Sequence, residues 1–249
     1  VINKVVESYD EAVADVFEGA IILIGGFGPA NGTPSNLLRA LEKQGAKNLT
    51  IAMNTPGNGR QPPNPNMPPM RAIRMPPNYD NAGILIQNDQ VSKVITAFPG
   101  TPMIGFSSPL HDRRLAGTLE VEMCPQGTLA ERIRAARAGI PAFYTPTGPG
   151  TDLGAGKEIR EFNGVPSCLE YALKGDFSLV RAYKADRRGN LTYQGTSRNF
   201  NATMAGASTV TIAEVDYLVE LGDIDPECVA TPGIYVDRVV VRKNPEEGI

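Results

Sequence analysis

The sequence predicts an α/β protein built on an open, mostly parallel sheet flanked by helices. Three observations carry this prediction. Residues 21–25, IILIG, form a continuous apolar run bounded by glycine, as expected of a strand buried on both faces. A glycine-rich turn, a helical apolar stripe and a second apolar run, LTIAM (49–53), follow it within about 33 residues. Strand, helix and strand over that length make a βαβ unit, which implies parallel strands. Residues 115–137, LAGTLEVEMCPQGTLAERIRAAR, repeat the pattern as a strand, a turn and a helix.

The elements can be justified in chain order. YDEAVADVF (9–17) places Ala12, Val13 and Val16 on one side of a short first helix. After IILIG, the loop GGFGPANGTP (25–34) opens a second helix. Thr33 can cap that helix, Pro34 suits its first position and Gly45 ends it, with Leu37, Leu38 and Leu41 as its stripe. LTIAM is the next strand. Residues 55–78 then hold eight of the 21 prolines. Proline removes backbone donors and disfavours helix, so this segment reads as an extended excursion, either a decoration without chemistry or a lid or subunit contact. Order returns with GILI (83–86) and VSKVITAF (91–98), the latter a strand.

In Leu119–Met123 the apolar residues Leu119, Val121 and Met123 alternate with Glu120 and Glu122, the period of a strand. Pro125 ends it, Gly127 relaxes the turn, and Thr128 with Glu131 forms a capping box for a helix with Leu129, Ile133, Ala136 and Ile140 on one face. PAFYT (141–145) is a strand, and TPTGPGTDLGAGK (145–157) a second glycine-rich loop. Residues 158–173 read as a hairpin around Asn163–Gly164, although the second half also suits a helix. FSLVRAYKAD (177–186), TVTIAEVDYLV (209–219) and GIYVDRVVV (233–241) complete the strands. With no repeat and no clean linker, residues 1–249 read as a single domain with a Pro-rich excursion at about 55–78.

Composition removes several classes of function. Hydrophobic residues make up 41% and charged residues 20%, ordinary for a globular protein with a sizeable core. Lys+Arg 24 against Asp+Glu 27 gives net −3, so no basic field points to nucleic acid. Cys124, Cys168 and Cys228 are scattered and contain no CxxC pair, which argues against a disulfide framework or zinc site. No run approaches ~18 apolar residues, and the amino-terminal stretch lacks a signal-peptide core. The expectation is a soluble cytoplasmic protein with no metal and no membrane partner.

Each chemical motif can be tested in turn. Gly26, Gly28 and Gly32 give G-x-G-x-x-x-G, and Asn54 and Thr55 follow the second strand where a dinucleotide site needs an acid. Gly32 is followed by Thr33 and Pro34, so the P-loop pattern fails too. What survives is a glycine turn before a helix amino end, either a tight β-to-α connection or a place where backbone amides meet an anion. One histidine, His111, and no G-x-S-x-G elbow leave no Ser-His-Asp triad. Glu120 and Glu122 share one strand face, as a carboxylate pair or as partners for arginines such as Arg132 or Arg134. Gln126 sits past a strand end and before a helix, where open α/β sheets bind ligands. It is either a ligand-facing amide or a turn residue bonding nearby backbone. No nucleophile emerges.

Several of these stretches also carry a family resemblance. ILIGGFG (22–28), LEVEMCPQGTLAERIRAARAGIPAFYTPTGPGT (119–151), GDFSLVRAYKADRRGNLTY (175–193), RNFN (198–201) and TPGIYVDRVV (231–240) resemble the A (alpha) subunit of the class I coenzyme A transferases, the 3-oxoacid CoA-transferases. The resemblance covers almost the whole chain. It implies the CoA-transferase fold, shared with sugar-phosphate isomerases, and a ping-pong transfer of CoA from a donor such as succinyl-CoA to a 3-oxo acid. In that family a glutamate in a Ser-Glu-Asn-Gly motif attacks the thioester and becomes a glutamyl-CoA thioester. That tetrapeptide is absent here, so the resemblance implies a separate B subunit, a hetero-oligomer of A2B2 or larger, and no cofactor beyond coenzyme A as co-substrate. Gln126 matches the glutamine of the family's PQG motif, which implies a part in an oxyanion hole. Gly25, Gly26, Phe27, Gly28 and Gly32 match the segment given to CoA contacts. The family pattern places three residues between GGF and the next glycine, whereas this chain has four between Phe27 and Gly32. INK (2–4), NGR (58–60) and GNLTY (189–193) echo the 3-oxoadipate branch. The alternative is a non-catalytic ligand-binding or regulatory module, or a sugar-phosphate isomerase, on the same scaffold.

Overall fold

The structure, a computed structural model, describes residues 2–27, 32–60, 79–100 and 108–243. The first half alternates helix and strand: α1 (Tyr9–Ala12), β1 (Ile21–Ile24), α2 (Ser35–Gln44), β2 (Leu49–Met53), α3 (Gly83–Gln87), β3 (Val91–Thr96), α4 (Pro109–Leu115), β4 (Glu120–Met123) and α5 (Gln126–Arg137). Three strands follow, β5 (Ala142–Thr145), β6 (Ile159–Phe162) and β7 (Val165–Tyr171). The chain closes with β8 (Gly175–Asp186), β9 (Leu191–Thr192), α6 (Asn199–Met204), β10 (Ser208–Val219) and β11 (Arg238–Val241).

The main sheet runs β11-β10-β8-β1-β2-β3-β4, with every neighbouring pair on that path parallel and β9 antiparallel to β8. The chain winds outward from β1 to β4, then returns to the far side of β1 with β8. The winding therefore reverses between β1 and β8, the kind of position where open sheets form a ligand crevice. The other three strands make a small antiparallel sheet, β5-β7-β6. Asn163 and Gly164 both have positive φ, 52° and 78°, so the β6–β7 turn is of the primed type that matches strand twist. Both halves of 158–173 are strands, and the helical option is set aside.

Alternation along the strands divides the core into two. Ile22, Ile24 and Ile51 pack with Leu37, Leu38, Leu41, Ile84 and Leu110 beneath α1–α4. Leu23, Ala52 and Ile95 face the other way, against Leu129 and Ile133 of α5 and Phe200 and Met204 of α6. Each fully buried leucine or isoleucine is worth ~1.5–3 kcal/mol relative to exposure. Ala12, Val13 and Val16 are all buried as the pattern predicts, although α1 itself stops at Ala12.

Five points of the sequence reading need correction. Helix α5 begins at Gln126 because Pro125 occupies the cap position and its carbonyl accepts from Leu129 N at 2.8 Å. Thr128 therefore lies inside the first turn, buried, its hydroxyl without a partner among the described residues, and Glu131 pairs with Arg134 instead of capping. Ile140 lies beyond the helix and is exposed. Thr33 does not cap α2 through its side chain: Pro34 is the cap residue, while Gly45 ends the helix in the left-handed conformation as expected. Residues 109–115 form a helix that hydrophobic periodicity missed, set by Ser108 at its cap and Pro109 at its start. The last strand starts only at Arg238, since Gly233–Tyr235 forms a 3-10 turn. Most of the Pro-rich excursion, 61–78, lies outside the described residues, as does Gly28.

A candidate active site at the carboxyl edge of the sheet

Strands β1 to β4 end level with one another, because Leu23 registers with Ala52, Ala52 with Ile95 and Ile95 with Glu122. Gly25, Asn54, Ala97 and Cys124 are thus the first residues past a common edge. The backbone stays stitched one step further. Cys124 N donates to Thr96 O at 3.0 Å, while Phe98 N and the Thr96 hydroxyl each donate to Asn54 O at 2.9 Å. Gln126 stands on this edge with an exposed side chain, and its Nε2 donates to Asn54 Oδ1 at 2.8 Å. Asn54 is buried, and its own Nδ2 donates to the Thr55 hydroxyl at 3.1 Å. Gln126 therefore does not bond nearby backbone. Phe27 and Phe98, past the ends of β1 and β3, are large apolar side chains left exposed.

The glycine loop is held at the crossover between β1 and β8. Asn201, fully buried, accepts from Arg181 N at 2.9 Å and donates to Gly32 O at 2.9 Å and Ser197 O at 2.8 Å. Gly25 must be glycine for the same reason, since a Cβ there would lie 1.8 Å from Asn201 Oδ1. Gly32 has φ +73° and a Cβ on it would meet Asn201 Nδ2 at 2.6 Å. One side chain thus bonds Gly32 and packs tightly against Gly25.

The helix that follows is not open to an external anion at its amino end. Asn36 N and Leu37 N donate to Glu214 Oε2 at 3.0 and 3.1 Å, and Asn36 Nδ2 donates to Oε1 at 2.9 Å. A carboxylate from β10 serves as the cap that Thr33 does not supply. Burial pushes the Glu214 carboxyl up, and the nearby Arg242 and the Leu37 amide pull it part of the way back. Arg242 and Arg181 both meet Asp216, at 2.7 and 3.1 Å, closing a buried charge network.

Glu120 and Glu122 are salt-bridge partners. Lys93 Nζ lies 2.9 Å from each, and Arg132 is 2.7 Å from Glu122. Burial pushes the Glu122 carboxyl up, but Arg132 and Lys93 outweigh it and hold the group below the usual carboxylate range. Neither carboxylate is arranged as a proton donor. Beside them a cavity of about 330 Å³ is lined by Arg132, Lys157, Glu158 and Glu170, with Gly156 of the second glycine loop; Gln126 does not line it. Lys157 pairs with Glu170 across it at 2.5 Å. Cys124 is buried, which pushes its thiol up, and Cys168 is buried with its thiol on Thr147 O at 3.2 Å. His111 is an exposed residue of α4. Among the described residues no group of three His, Cys, Asp or Glu side chains could hold a metal ion, and no helix is long and apolar enough to cross a membrane.

Sequence reasoning singled out Gln126 and the glycine loop but missed Asn54, Asn201 and Glu214. A signal existed for two of them. Asn54 follows an apolar strand directly, and Glu214 is an acid inside TVTIAEV, where an unpaired charge could not be buried.

This arrangement, a doubly wound sheet with a glycine loop at its crossover and an exposed amide on its carboxyl edge, is that of a ligand-binding α/β protein. The profile of the family described as coenzyme A transferase matches residues 6–242, and the chain belongs to that family. Within it, the chain is similar to A subunits. It is 44% identical to the A subunit of 3-oxoadipate CoA-transferase from Pseudomonas putida, over 96% of this chain and 94% of that protein. It is 40% identical to the A subunit of the probable succinyl-CoA:3-ketoacid coenzyme A transferase of Bacillus subtilis (strain 168), over 99% and 93%. Among solved structures, an E. coli O157:H7 acyl-CoA transferase in thioester complex with CoA superposes with a TM-score of 0.78 at 22% identity, covering 97% of this chain and 50% of that one. Glutaconate coenzyme A-transferase of Acidaminococcus fermentans gives a TM-score of 0.75 at 19% identity, covering 97% and 76%. The central sheet and its helices are the CoA-transferase α/β fold.

Proposed function

We propose that this chain is one half of a two-subunit 3-oxoacid CoA-transferase and forms one wall of an active site that a B subunit completes. The observation that carries the reading is Gln126, an amide on the carboxyl edge of the sheet whose Nε2 is held by Asn54, in a chain belonging to the CoA-transferase family. The A-subunit names of its relatives support such a partner.

On this reading a glutamate carboxylate of the B subunit, acting as nucleophile, attacks the carbonyl carbon of an acyl-CoA such as succinyl-CoA. The C–S bond breaks, CoA leaves as thiolate and a mixed anhydride forms. The thiolate then attacks the glutamyl carbonyl, releasing the donor acid and leaving a glutamyl-CoA thioester. A 3-oxo acid reverses both steps and leaves as its CoA ester. Each attack places negative charge on a carbonyl oxygen, and Gln126 supplies an N–H to that oxygen, a contribution of ~3 kcal/mol at such sites. On the same reading Gly25, Gly26, Phe27, Gly28 and Gly32 contact CoA, with Gly32 bonded to Asn201 and Gly25 packed against it.

Co-expression with the B subunit tests the reading. The purified chain alone should transfer no CoA from succinyl-CoA to 3-oxoadipate or acetoacetate, and the complex should transfer it by ping-pong kinetics. Transfer by the chain alone, or an inactive complex against a panel of 3-oxo acids, contradicts it.

A further inference from the structure

The geometry points to Asn54 as the residue that orients Gln126, so that the amide offers an N–H and not its oxygen to the reacting centre. The inference rests on the oxyanion role proposed for Gln126.

A glutamine amide on an exposed edge has a broad, nearly two-fold terminal torsion, so alone it would present nitrogen and oxygen about equally. An oxygen turned toward a developing oxyanion repels it. Asn54 removes the ambiguity in three steps. First, its backbone carbonyl is fixed by Phe98 N and the Thr96 hydroxyl, both at 2.9 Å, which anchors the residue to β3. Second, its Nδ2 donates to the Thr55 hydroxyl at 3.1 Å, and Oδ1 is the end of the amide that faces Gln126. Third, Oδ1 can only accept, so Gln126 must turn Nε2 toward it, and the 2.8 Å contact is that bond. One Nε2 hydrogen is then committed to Asn54. The second hydrogen of the same planar group is fixed with it, on the exposed side.

Asn54 is 3% exposed and Gln126 is exposed, so the orienting group is held in the packed edge and the oriented group is open to solvent. Asn54 is a positioning residue; it acts through Gln126. Its chain neighbour on the edge, Thr55, completes a short donor chain in which each bond polarises the next.

The test is a double-mutant cycle in the reconstituted two-subunit complex, with Gln126→Ala, Asn54→Ala, Asn54→Leu and each pair. Asn54→Leu keeps the side-chain volume and removes the acceptor, so it serves if Asn54→Ala fails to fold. Melting temperature and the yield of assembled complex are recorded for every variant. The expected result is a kcat about 10-fold lower for either Asn54 variant with KM for acyl-CoA unchanged, the scale of one hydrogen bond. Gln126→Ala should lose ~10²-fold, and adding an Asn54 substitution to it should change nothing further. Wild-type kcat in folded Asn54 variants alongside an impaired Gln126→Ala overturns the inference and spares the role of Gln126. So does a multiplicative loss in the double variants, which would make Asn54 independent of Gln126. Wild-type kcat in Gln126→Ala itself removes the role of Gln126, and this inference with it.

Discussion

At the scale of single residues, much of the geometry turns on amides that face one another. Asn54 fixes Gln126 at 2.8 Å, and Asn201 bonds Gly32 and packs against Gly25 at the crossover between β1 and β8. Gln126 was legible in the sequence because a polar residue between a strand and a helix is a known kind of position. Its partner was not, because Asn54 and Gln126 are 72 residues apart and meet only through the parallel register of β2, β3 and β4. Gly25 gives a direct check on the loop. Substituting Gly25→Ala places a methyl group 1.8 Å from the Asn201 carboxamide oxygen. We expect a loss of ~1–3 kcal/mol in urea unfolding of the chain, as for other overpacked sites, because Asn201 cannot move without releasing Gly32. An unchanged midpoint would mean that the loop ends are not clamped.

At the scale of elements, charge decides what periodicity could not. The glycine turn before α2 reads in sequence either as a tight β-to-α connection or as a place where amides meet an anion; Glu214 from β10 fills the helix end, and no local pattern links residues 178 positions apart. The Ser108-capped helix α4 was missed because PLHDRRL has little apolar periodicity to detect. The neck of the Pro-rich excursion is closed by NGR: Arg60 forks onto Glu42 at 2.8 Å and reaches Asp80 at 3.1 Å, while Gly59 N donates to Asn81 Oδ1 at 2.8 Å. Strand β4 depends on a comparable set, Lys93 and Arg132 around Glu122. Because the folded Glu122 carboxyl lies below its ordinary value of about 4.3, its contribution to stability is complete above that pH and disappears as pH falls through the lowered value. Urea midpoints at pH 6, 5, 4 and 3 should therefore show wild type above Glu122→Gln at pH 6, with the gap closing as pH drops. A gap independent of pH would show that the charge of Glu122 is not what holds β4.

At the scale of the molecule, the parallel direction of the main-sheet strands follows from alternating helix and strand, which is why the fold class could be read early, while the strand order with its reversal between β1 and β8 was not legible. The absence of a Ser-Glu-Asn-Gly segment was legible, and it is what led the sequence to imply a second subunit. What sequence pattern could not supply was the level edge of four strands on which Gln126, Asn54 and the exposed Phe27 and Phe98 stand. That edge is half a site in our account, and the other half must carry the group that is acylated. Intact-mass analysis of the two-subunit complex after brief incubation with acyl-CoA, without acceptor, tests this most directly. A CoA adduct is expected on the B subunit, with none on this chain, and should be removed on addition of a 3-oxo acid. An adduct on this chain, or turnover with no adduct on the B subunit, would contradict it.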